Sequence, residues 1–185
     1  MRRFGWNILL FNNHNQDVRK GDSILNHDAR IDSFWEDVNI ADQNKVTYLL
    51  EMFERGVQQN KTDTLEFVID VAFKIENLEI RASALNHLLL LDGHDQHQMI
   101  TKGLQDLAHP SSVAIIARIL EQDFKRFEYT ASDDAVIAKW FSHALADIGT
   151  LDAMAVLKRY AQSQNQDIAQ EMQYRLRKIA NKQKS

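Results

Sequence analysis

The chain contains no cysteine. Disulfides and thiolate zinc sites are therefore excluded, and a reducing, cytoplasmic setting is the matching expectation. Proline occurs once, at Pro110, and glycine only six times. So few breakers favour long helices joined by short links over a fold built from many tight turns. Long apolar runs are missing as well. Ile8, Leu9, Leu10 and Phe11 follow Arg2 and Arg3 but stop at Asn12, short of the ~7–15 residues of a signal-peptide core. No window approaches the ~18 apolar residues of a membrane span. The chain reads as neither exported nor membrane-embedded.

What is present is helical periodicity, clearest in the last third. Asp134–Ile148 sets Ile137, Phe141, Ala144, Leu145 and Ile148 on one stripe. Residues 151–161 do the same with Ala153, Val156, Leu157, Tyr160 and Ala161, and residues 168–179 with Ile168, Met172, Leu176 and Ile179. Spacings of three and four are those of an amphipathic helix. Only Gly149 and Thr150 separate the first two stripes. Glycine supplies a left-handed stop and threonine a cap for the next helix. Ile137, Ala138 and Leu145 recur as Ile168, Ala169 and Leu176 at an offset of 31 residues, within the ~20–50 of stacked repeat units.

The middle of the chain repeats this logic. Asp42 can cap a helix carrying Val46, Leu49, Leu50, Phe53 and Val57, and Thr62 one carrying Leu65, Val68, Ile69 and Ala72. A third, over 78–91, uses Leu78, Ala82, Leu85, Leu88 and Leu89 and stops at Asp92-Gly93. A fourth, over about 95–108, uses Ile100, Leu104 and Leu107. After the break at His109-Pro110-Ser111, with the proline in the next first turn, a fifth carries Val113, Ile116, Ala117, Leu120 and Phe124. Residues 127–131 form the longest connection of the second half.

Residues 1–39 are less regular. Phe4, Trp6, Ile8 and Leu10 alternate as in a short strand or an extended arm. Residues 14–21 read as a polar loop, and 28–38 as a short helix with Ile31, Phe34, Trp35 and Val38 on one side. The expected organisation is a cap or arm over 1–41 and a helical repeat domain over 42–185. The fold class is all-α, an α-solenoid of helical hairpins with about eight helices, because no pair buries its apolar face alone. A compact, non-repeating helical bundle is the alternative.

The run Ala144-Leu145-Ala146-Asp147-Ile148-Gly149-Thr150-Leu151-Asp152-Ala153 resembles the core of HEAT repeats, where a helix ends in a Leu-x-x-Ile-Gly run before a short second helix. Asp92-Gly93-His94-Asp95-Gln96-His97, then Ile100, Leu104 and His109-Pro110-Ser111, is similar to a class of small bacterial HEAT-repeat proteins. So is Phe127-Glu128-Tyr129 followed by Asp133-Asp134. The likeness spans roughly residues 64–179, leaving residues 1–60 outside it. It implies a non-catalytic protein-binding module, of the kind seen in immunity proteins that neutralise a toxin encoded next door. A general HEAT-repeat scaffold or regulator is the runner-up.

Charge narrows the partner. Residues 158–185 hold seven Lys/Arg against Asp167 and Glu171, a net of +5, which leaves −9 on the rest of a chain whose total is −4. An acidic body fits a basic protein partner, expected here as a basic toxin domain, rather than nucleic acid. A HEAT-like DNA glycosylase, with Trp6, Trp35 or Trp140 in a groove, lacks the cationic surface that phosphate binding needs. The basic end has a plain structural reading, as cations at a helix C-terminus.

The partner-binding candidates are Asp92, His94, Asp95, His97, Glu128, Tyr129, Asp133 and Asp134. Tyrosine suits interface cores, and carboxylates pair with a partner's arginines. Their structural reading is a polar inter-helix turn for the first four and a helix-start dipole effect for Asp133 and Asp134. His87, His94, His97, Asp92 and Asp95 are dense in possible metal ligands. Yet His87 lies across the Asp92-Gly93 stop and no second ligand pair follows, so neither metal nor cofactor is expected. His143 beside Ser142 lacks an orienting acid for nucleophilic chemistry, and no catalytic residue is assigned.

Overall fold

The computed structural model describes residues 20–122 and 124–182, and every regular element in them is helical. Among the described residues nine α-helices and one 3₁₀ helix stand where about eight helices were expected. They are α1 (Lys20–Val38), α2 (Asp42–Gln58), α3 (Thr62–Phe73), α4 (Leu78–Leu89), α5 (His97–Leu107), α6 (Ser112–Leu120), the 3₁₀ helix (Phe124–Thr130), α7 (Asp134–Ile148), α8 (Leu151–Tyr160) and α9 (Gln166–Lys182). No helix among the described residues is long and apolar enough to cross a membrane.

Several local expectations are corrected. The first helix begins at Lys20 rather than residue 28, taking in the end of the polar stretch 14–21. Apolar periodicity marks only the packed part of a helix, and backbone hydrogen bonding runs on where no proline stops it. The alternating segment at Phe4, Trp6, Ile8 and Leu10 lies outside the described residues. Asp42 and Thr62 are first helical residues, not caps: Ala41 and Lys61 hold the cap positions without side-chain bonds. Asp42 instead pairs with Lys45 at 2.7 Å. α6 starts at Ser112, so Pro110 sits in the turn before it. The stretch 127–131 is largely 3₁₀ helix, because Phe124 and Phe127 turn inward and pull the backbone into a tight coil.

The Gly149-Thr150 joint behaves as its residues dictate. Gly149 adopts φ 64°, a conformation that an L side chain resists, and its N–H closes on the Leu145 carbonyl at 3.1 Å. The Thr150 hydroxyl accepts from the Ala153 N–H at 3.2 Å. Asn77 caps α4 in the same way, accepting from Glu79 and Ile80.

Packing is local along the chain. α2, α4, α6 and α8 follow one another as neighbours, and α7 lies between α5 and α9. Each helix meets mainly the next helix or the next but one. One apolar core runs from Ile31 on α1 to Met172 on α9. Close approach is specific in places. A Cβ on Gly103 of α5 would collide with the ring of Phe73 at the end of α3, so glycine there admits the ring. Phe124, Phe127, Trp140 and Phe141 form a ring cluster with centroids 5.8–6.2 Å apart, which anchors the 3₁₀ helix to α7. Edge-to-face and tilted ring pairs add to plain burial.

Candidate functional site

The last carbonyls of a helix have no intrahelical partner and must find one elsewhere. At and just beyond the end of α4 two histidines add donors to such carbonyls. The Nε2–H of His94 donates to the Leu88 carbonyl and that of His97 to the Leu91 carbonyl, each at 3.0 Å. Arg126 reaches the Leu90 carbonyl between them at 3.5 Å. Gly93, at φ 95°, turns the chain so that the residues after α4 fold back over its end.

This use of Nε2–H fixes the tautomer of both rings: each Nδ1 is a bare acceptor. The Gln96 N–H donates to Nδ1 of His94 at 3.1 Å. The Tyr129 hydroxyl donates to Nδ1 of His97 at 3.0 Å and accepts from the His97 N–H at 3.3 Å. All four ring nitrogens are therefore engaged. The rings stack on each other with centroids 4.1 Å apart and planes 20° apart. Phe53 of α2 stands edge-on to His94, and Phe127 edge-on to His97.

Burial pushes the pKa of both histidines below the ordinary imidazole range, that of His97 to about 4. For His97 the neighbouring His94 and then Arg126 press the same way, while the Leu91 carbonyl and Asp92 oppose. Burial likewise raises the Tyr129 phenol. Near neutral pH the pair is thus uncharged.

Around this pair lies a cleft of about 320 Å³. Thr62, Leu65 and Glu66 of α3 form one wall, Asp92, Gly93, His94, Asp95 and His97 the floor, and Arg126 and Tyr129 the other wall. Three carboxylates face one guanidinium, and that guanidinium already pairs with Asp92 at 3.4 Å. The edge is partly apolar: Tyr129 is exposed in the lining, and exposed Val57, at the end of α2, stands beside Gly93.

Of the eight candidate residues, five line this cleft: Asp92, His94, Asp95, His97 and Tyr129. Glu128 is exposed beside Tyr129 but is not part of the lining. Asp133 holds the cap position of α7 without a side-chain cap bond. Asp134 follows it and accepts from the Asn165 amide at 2.7 Å, which ties α7 to the link before α9. His94 and His97 do not share a helix face, since α5 begins only at His97. His87 is exposed and turned back to the Ser83 carbonyl at 2.7 Å. Among the described residues no group of three His, Asp or Glu is placed to hold a metal ion.

Glu66 and Arg126 were not singled out from the sequence, and Thr62 and Leu65 only as a helix cap and a core position; contact across the fold reveals their place in the cleft. A second polar cluster was also missed. Ser142, fully buried on α7, donates to Glu171 at 2.6 Å and accepts from the Arg175 Nε–H at 3.2 Å, and Arg175 pairs with Glu171 at 3.0 Å. The side chains of this α9 ion pair are only 11% and 14% exposed, and the hydrogen bonds of Ser142 join the pair to α7. Nothing in the periodicity of α9 announces it. Comparison with family models, with characterised proteins and with solved structures finds no match for this chain.

Proposed function

We propose that this chain is a non-catalytic protein-binding module, an α-solenoid of HEAT-like hairpins that docks a basic protein partner on its acidic cleft edge. The partner is a toxin domain that the module neutralises by covering it. The observation that carries this reading is the joining of two distant segments, 92–97 and 124–130, through Tyr129 and His97 into one cleft rimmed by Glu66, Asp92 and Asp95. Packing of each helix on its near neighbours in the chain supports the solenoid part, since stacked hairpins make such contacts. Charge supports the partner part. The cleft is acidic, and exposed Val57 and Tyr129 offer the apolar contacts that an interface core needs.

The mode of action needs no chemistry from this chain: occlusion of a partner's active surface is enough. Opposite charge speeds encounter, and salt slows it by screening. The test is a pull-down with the product of the adjacent gene, followed by titration at low and high salt. Binding that weakens as salt rises is expected. Failure of that product to bind replaces the immunity reading by the scaffold reading.

A further inference from the structure

The geometry points to a pH-sensitive latch: the stacked His94–His97 pair holds the Tyr129 end of the 3₁₀ helix against the α4–α5 joint, and uptake of a proton by the pair releases it. The latch regulates the surface assigned above to partner binding, and only that consequence rests on the binding reading. The latch itself is a property of the chain alone.

The bonding pattern leaves the proton few places to go. Both Nε2–H groups are committed to the carbonyls of Leu88 and Leu91, so a proton must arrive at Nδ1. At His94, Nδ1 faces the Gln96 N–H, and protonation would set two donors against each other. At His97, Nδ1 faces the Tyr129 hydroxyl, which can turn its own proton away. The hydroxyl oxygen would then have to accept from both the His97 N–H and the new Nδ1–H. His97 is therefore the entry point, and Tyr129, which covers its Nδ1 and is itself 45% exposed, is the group that must move for water to reach the buried cation. A second proton is opposed by the first, because the rings stack at 4.1 Å.

The surroundings decide whether the cation stays. His94 is 9% exposed and His97 1%, so an imidazolium there loses most of its hydration. The charged and titratable groups facing the pair are Asp92, Asp95, Glu66 across the cleft, Arg126 and Tyr129. Asp92 is already spent on Arg126. Asp95 is exposed and takes the Gln96 side-chain amide. Neither carboxylate contacts an imidazole ring. Water does lie within reach, since the cleft opens beside His97 and Tyr129 is 45% exposed. Swinging Tyr129 outward hydrates the cation while Phe127 keeps the other half of the 3₁₀ helix seated in the core.

The sign follows from linkage. The closed state holds His97 below its ordinary value, so proton uptake favours any state in which the ring is hydrated. Taking about 4 for the closed state and 6.5 for the hydrated ring, the opening equilibrium should grow roughly 25-fold between pH 7.5 and pH 5.

Hydrogen exchange and NMR on the chain alone test this, so that failure of the latch and failure of partner binding are seen separately. The Gln96 and His97 amides donate directly to the latch. Their protection factors should fall about 25-fold between pH 7.5 and pH 5, with helix content by circular dichroism unchanged. The Tyr129 ring signals should shift with the same midpoint as the His97 ring. In a His97→Gln variant the fall should vanish. Tyr129→Phe keeps both imidazoles but removes the acceptor of the His97 N–H, so the His97 amide should already be weakly protected at pH 7.5. The latch is refuted if the two amides keep their protection at pH 5, or if His97→Gln loses it to the same degree as the parent. It is equally refuted if the His97 amide of Tyr129→Phe is as well protected at pH 7.5 as the parent's.

Discussion

Leu145 and Leu151 lie six positions apart and carry the same side chain, yet the fold uses them in opposite ways. Leu145 is 0% exposed in the centre of α7, which packs on α5, α8 and α9, whereas Leu151 is 90% exposed at the start of α8. Truncating Leu145 to alanine removes the equivalent of two to three methylenes from the core, about 2 kcal/mol of transfer free energy. The cavity left behind brings the total to about 3–5 kcal/mol for a site that cannot collapse. For a domain of this size that corresponds to a melting point lower by about 10 °C. The same change at Leu151 should stay within about 0.5 kcal/mol. The assay is urea denaturation followed by circular dichroism, with the slope checked for constancy so that the midpoint reports stability. Equal midpoint shifts for the two variants would refute the packing described for α7. So would a shift for Leu145→Ala below about 1 kcal/mol.

Three further outcomes are expected. Gly149→Ala forces a side chain into φ 64° and should cost about 1 kcal/mol, read as a lower urea midpoint. Thr150→Ala removes the oxygen that caps the Ala153 N–H and should cost about 1 kcal/mol by the same measurement. Ser142→Ala leaves the Arg175–Glu171 pair without its shared hydroxyl inside the α7–α9 contact. It should cost about 1–3 kcal/mol and loosen α9, seen as faster amide exchange there.

What could be read in advance was local. Gly149 and Thr150 act through their own backbone and side-chain chemistry, so two residues were enough to place a helix stop and a cap. The stripes of α2 to α9 were legible because burial of one helix face repeats every three or four residues. The site was only half legible. Residues 92–97 and Tyr129 stand out as polar and aromatic interruptions between stripes. Their bond spans 32 residues, and no local pattern records that a tyrosine would meet a histidine so far along the chain. The histidines illustrate the limit best. Three-residue spacing invites a shared helix face, yet His94 belongs to the turn and His97 to the helix start, because they fold back onto carbonyls at and just beyond the end of α4. Asp134 shows the opposite failure. Its exposed-looking position at a helix start hides a bond to Asn165, so it serves packing between α7 and the link to α9.

Charge reversal at the cleft tests the central claim most directly. Glu66, Asp95 and Glu128 are exposed, and among the described residues no interhelical ion pair involves any of them. A triple variant Glu66→Lys, Asp95→Lys, Glu128→Lys should keep the parent's helix content. Titrated by calorimetry against the adjacent gene's product at low salt, it should bind at least 100-fold more weakly, the loss of roughly 3 kcal/mol from an electrostatic match turned to repulsion. Binding as tight as the parent's would contradict the assignment of this cleft edge as the docking surface.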